Sequence, residues 1–95
     1  MSAITATIQR LHRTGEHEQM FEFIKTKDKK TVLNELIKWG MFQEFRSVVK
    51  YGFHAVLIDS WTYENEQSFI YQDHQYQYEI TIRNCDIVSI GYSPK

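Results

Sequence analysis

Ninety-five residues suffice for one domain and leave little room for a second core, so the chain is expected to form a single unit over 1–95. A formal net charge of −1 offers no general attraction to nucleic acid or to an anionic membrane, and no apolar run approaches membrane-spanning length. One cysteine excludes an internal disulfide and the N-terminus has no apolar secretion region, so a reducing, cytoplasmic setting is the expectation.

Residues 3–12, AITATIQRLH, pull two ways. Ile4, Ile8 and Leu11 fall at helical spacing behind Ser2, a possible cap, but Ile4, Thr5, Thr7 and Ile8 are β-branched and favour strand. Gly15 marks a turn, and QMFEFIKT then places Phe21 and Phe23 on one alternating face. The pattern predicts a hairpin over 3–26. Asp28 is a credible N-cap for a helix whose apolar stripe is Val32, Leu33, Leu36 and Ile37, ended by Gly40. Phe42, Phe45, Val48 and Val49 form a second stripe, closed by Gly52.

FHAVLID, residues 53–59, is apolar on both alternating sets, as in a strand covered on two sides. SWTYENE, residues 60–66, then reads as a polar loop. From Gln67 to Tyr92 the alternation is regular: Phe69 and Tyr71, then Tyr76, Tyr78, Ile80 and Ile82, then Val88, Ile90 and Tyr92. A two-residue turn at Asp73-His74 sets Tyr71 opposite Tyr76. A three-residue turn at Asn84-Cys85-Asp86, with positive φ at Asp86, sets Ile82, Ile80 and Tyr78 opposite Val88, Ile90 and Tyr92. The fold class is α+β in two layers, an antiparallel sheet with a C-terminal three-stranded meander packed against two short helices.

Candidate chemistry is sparse. His12, His17, His54, His74 and Cys85 show no C-x-x-C, H-x-x-x-H or H-E-x-x-H spacing, so no metal is expected. Cys85 and His74 belong to consecutive turns of a meander, at opposite ends of the sheet, which separates them as a nucleophile and base. Asp59, Glu64, Glu66 and Asp73 read as a solvated acidic surface. With no phosphate loop and no nucleophile elbow either, neither an enzyme nor a cofactor is expected.

Two binding readings remain, with a small-ligand pocket lined by Tyr76 and Tyr78 as a third. Trp61 and Tyr63, with Glu64 and Glu66 beside them, are the residue types expected of a protein-contact loop. Ile70 and Ile87 on the polar sheet face would extend that patch, and the strand 87–92 is a candidate edge for pairing with a partner or a second copy. Lys25, Lys27, Lys29 and Lys30, beside aromatic strands, are the residues a single-stranded nucleic acid would use. The alternating meander spends its aromatic face on the helices, however, so nucleic acid ranks below protein as partner. The expectation is a non-enzymatic interaction module: an adaptor, inhibitor or accessory subunit that occupies another protein's surface.

Overall fold

The computed structural model describes residues 2–95. Residues 3–26 do not form a hairpin. They form two helices, α1 at Ala3–Arg13 and α2 at His17–Lys25. β-branched residues cost a helix only roughly half a kcal/mol each, and the Ser2 cap offsets part of that. Ser2 caps the helix by accepting from the Thr5 N–H at 3.2 Å, and the Thr7 hydroxyl donates to the Ala3 carbonyl at 2.8 Å. Burial decides the outcome, since Thr5, Ile8 and Leu11 lie on one helical face and are all buried. In α2 the buried pair is Met20 and Ile24, four residues apart, while Phe21 and Phe23 flank it half-buried. Eight residues were too few to separate this period from a strand's.

Helix α1 and the helix that follows α2 end in the same way. Gly15, at φ 76°, lets its own N–H reach the His12 carbonyl and the Glu16 N–H reach that of Leu11. Gly40, at φ 61°, does the same for Ile37 and Leu36, the latter bonded by Met41. The helix that Gly40 ends, α3, is Lys29–Lys38, with Asp28 as its expected cap, accepting from the Thr31 N–H at 3.1 Å. Helix α4, Phe42–Ser47, runs on into a π-helical turn at Val48–Gly52, closed by the Phe53 N–H on the Val48 carbonyl. The two expected helices are therefore present, and α1 and α2 join them in the helical layer.

The sheet has four antiparallel strands in chain order: β1 Val56–Tyr63, β2 Glu66–Gln72, β3 Tyr76–Arg83 and β4 Asp86–Pro94. The strand placed at 53–59 thus starts later and runs through most of the expected loop, leaving Glu64-Asn65 as the turn. Tyr71 pairs with Tyr78, not Tyr76, because the four residues Asp73 to Tyr76 lie between the last paired positions, Gln72 and Gln77. The two-residue difference keeps parity, so the aromatic faces still agree. Tyr78–Tyr92 and Ile80–Ile90 pair as expected, but by another route. The turn is two residues, with Asn84 and Cys85 at φ 51° and 67°, and a bulge beyond Thr81 absorbs the extra residue at Val88. Positive φ is thus at Asn84 and Cys85, not at Asp86.

The helices cover one face of the sheet. Tyr71, Tyr78 and Ile80 are buried with Ile8, Met20, Leu33, Leu36, Phe45 and Val48 in one cluster. Phe45 meets Tyr78 edge-on, Arg46 donates to the Tyr71 hydroxyl at 3.1 Å and lies over the Phe69 ring, and Tyr92 donates to Asn34 at 2.7 Å.

Candidate functional site

Strand β1 stands apart from this core: all eight of its residues are exposed. For the half of the strand beside the turn, the pairing shows why. The positions opposite Phe69 and Gln67, on the helix-covered face, are Ser60 and Thr62, too small and polar to extend the core. Trp61 and Tyr63 lie opposite Ser68 and Glu66, on the face that no helix covers. They are 45% and 70% exposed, and Val56, Leu57 and Ile58 at the other end of the strand are exposed to a similar degree. Trp61 therefore does not plug the core. The apolar segment 53–59 had suggested cover on both sides, but only Ala55 is buried.

The open face can be read row by row from the register. Tyr63, Glu66, Arg83 and Asp86 form the row at the turn end, followed by Trp61, Ser68, Thr81 and Ser89, then Asp59, Ile70, Glu79 and Gly91. Ser68 and Thr81 share a hydrogen bond of 3.0 Å and are buried. Of the residues singled out in the sequence, Trp61, Tyr63 and Glu64 are exposed together at one end of the β1–β2 hairpin. Glu66 is engaged, its Oε2 accepting from Arg83 Nη2 at 2.6 Å and Nε at 3.1 Å. Ile70 does belong to this face. Ile87 does not: it pairs with Ile82, on the helix side.

As an edge, β1 is the more regular of the two. It carries one bulge, between Leu57 and Asp59, and is regular from Asp59 to Tyr63. Tyr63 and Glu66 flank a two-residue turn and so exchange both ladder bonds. Alternation then sends the backbone N–H and C=O of Ser60 and Thr62 outward, to the open edge. On β4 the bulge at Val88 falls between the ends of the strand, and Pro94 has no N–H to offer.

The four lysines do not form one array. Lys25 pairs with Glu22 at 3.0 Å, Lys27 lies over the Phe23 ring, and Lys30 is exposed at the start of α3. Lys29 turns inward to an ion pair with Asp73, its ammonium 4.6 Å from the centroid of Phe53 and also over Tyr76 and Tyr78. The space beside those two tyrosines is thus occupied by the chain's own cation. Asp73 also accepts from the Tyr78 hydroxyl and from the Gln75 and Tyr76 N–H groups. Burial alone would raise its pKa. The Lys29 and Tyr78 bonds and the two backbone bonds overcome that and hold it at about 2, below the ordinary 3.8. Burial first, and then the Asp73 carboxylate, push the Tyr78 hydroxyl upward.

The larger cavity lies elsewhere. A groove of about 710 Å³ opens between Gly40–Glu44 and the turn end of the sheet, with Phe42, Thr62, Gln67, Ile82, Cys85 and Ile87 among its walls. A second, of about 470 Å³, includes His54, Asp73 and His74 at the opposite end. His74 and Cys85 thus belong to turns at opposite ends of β3, while His12 and His17 stack at 5.5 Å across the α1–α2 turn. No helix of the described residues is long and apolar enough to cross a membrane. No family model, curated protein or solved structure matches the chain.

Proposed function

We propose that this chain is a small, non-enzymatic, cytoplasmic protein-interaction module that works by occupying a partner's surface, with Trp61 and Tyr63 of β1 as its anchors. The exposure of β1 carries the reading. A strand that gives nothing to the core nevertheless displays two large aromatic residues and three aliphatic ones. Aromatic anchors of this kind supply most of the binding energy where they become fully covered. Glu64 stands beside them as an exposed carboxylate, whereas Glu66 is engaged by Arg83 of β3.

The test is Trp61→Ala and Tyr63→Ala, followed in two assays. In urea denaturation each variant should lie within about 1 kcal/mol of the parent, since half-exposed side chains leave no cavity. In affinity capture from host extract, a protein retained by the parent should be lost by both variants, by roughly tenfold or more, and be unaffected by nuclease. Trp61→Ala unfolding the domain, or both variants retaining the captured protein, would overturn the assignment. Retention that disappears with nuclease would favour nucleic acid as partner.

A further inference from the structure

We infer that the edge of β1 accepts an extended segment of a partner protein in which Lys or Arg alternates with apolar residues. This rests on the reading of β1 as a contact strand and adds the partner's chemistry.

Charge is the first argument. No Lys or Arg occurs anywhere from Tyr51 to Ile82, while Asp59, Glu64, Glu66, Asp73 and Glu79 do. On the open face the register places Asp59, Glu66, Glu79 and Asp86 against Arg83 alone, a balance of −3. A lysine is one of the devices by which an edge strand deters pairing. This one carries none, and its one charge is Asp59.

Geometry supplies the alternation. A strand added to β1 would bond to the outward backbone groups of Ser60 and Thr62 along about 17 Å of regular edge. Its side chains on the open face would come to rest beside Asp59, Trp61 and Tyr63. A cation there meets a carboxylate and the faces of two aromatic rings together. The intervening side chains would point to the helix side, where Thr62 forms the lip of the groove walled by Phe42, Ile82 and Ile87. Apolar residues fit that side. A second copy is a poor occupant, because pairing β1 with itself brings two faces of −3 together and sets Asp59 and Glu64 near their own kind.

The experiment uses the ¹⁵N-labelled full chain and three capped nonapeptides: alternating Lys-Val, alternating Glu-Val, and Lys-Val methylated at every second backbone nitrogen. The expected result is that Lys-Val shifts the amide signals of Ser60 and Thr62 and binds at least about tenfold tighter than Glu-Val. Its affinity should fall with added salt and drop about tenfold in the triple variant Asp59→Asn, Glu64→Gln, Glu79→Gln. The methylated peptide should bind weakly, because it cannot complete the ladder. Equal binding of Lys-Val and Glu-Val at β1 would overturn the charge inference and leave β1 as a contact strand. Peptide shifts confined to other elements would overturn strand addition, while the Trp61 and Tyr63 capture assay would still decide the contact reading separately. A concentration-dependent dimer in sedimentation, abolished by Ser60→Lys, would make a second copy the occupant and overturn the inference.

Discussion

Replacing Asp73 by Asn removes one charge from the tie between the helical layer and the sheet, with almost no change of shape. The carboxyl is 7% exposed and accepts from Lys29, Tyr78 and two backbone N–H groups. Its fall from 3.8 to about 2 corresponds to about 2 kcal/mol in favour of the folded state wherever the group is ionised. Asn also turns an amide toward either Lys29 or Tyr78, which brings the expected loss at neutral pH to about 2–4 kcal/mol.

The pH dependence separates this tie from other contacts. Because the folded carboxyl has the lower pKa, the unfolded chain binds more protons between about pH 4 and pH 2, and acid favours unfolding there. The Asp73 contribution should be complete above about pH 4 and mostly gone near pH 2. Urea denaturation of parent and Asp73→Asn at pH 2, 3, 4, 5 and 7 measures it directly, since every other carboxylate titrates in both proteins and cancels. The gap between them should narrow by about 2 kcal/mol from pH 5 to pH 2. A gap that stays constant across that range would show that the Lys29–Asp73 pair gives no net stability.

Two backbone predictions test the turns. Cys85 sits at φ 67° in a two-residue hairpin that prefers Asn-Gly, so Cys85→Gly should stabilise by about 0.5–1 kcal/mol in the same assay, whereas Asp86→Gly should bring no gain. Gly40, at φ 61° with open space where a Cβ would stand, should lose about 1 kcal/mol on change to Ala from backbone strain alone. No loss at Gly40 would argue against the left-handed helix end there.

The sequence showed some elements more clearly than others, for identifiable physical reasons. From Phe69 to Tyr92 the sheet was legible because its alternation is long and one face is apolar, so a slip of one residue would have cost the whole face. A slip of two was invisible, which is why the β2–β3 connection came out too short. The bulge at Val88 hid a tight turn behind the correct Tyr78–Tyr92 pairing. In 3–26 the local preference of Thr and Ile opposed the helical spacing of Ile8 and Leu11, and tertiary burial settled the contest. Gly15 marked a helix end as plainly as Gly40 did, but only the second was preceded by an apolar stripe long enough to read. The candidate site was legible as composition, in Trp61, Tyr63 and Glu64, and not as geometry. Whether an apolar strand such as 55–58 is covered depends on how far the helices reach across the sheet, which no local pattern records.

That reach is what gives β1 its meaning. Helices α3 and α4 engage β2, β3 and β4 through Arg46 on Phe69 and Tyr71, Phe45 on Tyr78 and Asn34 on Tyr92. The fold asks of β1 only that it pair with β2, which Thr and Ser alone would do. Ser60 and Thr62 on the covered side obey that minimum. Trp61 and Tyr63 on the open side exceed it, at the cost of exposing aromatic surface that folding gives every reason to bury. Five large apolar or aromatic side chains left exposed on one strand point to a demand made from outside the fold. The lack of any cation from Tyr51 to Ile82 sharpens the point, because a single lysine on β1 would have protected the edge. An edge without a lysine, an acidic face and two outward aromatic residues meet on one strand, and pairing with a basic extended segment would satisfy all three.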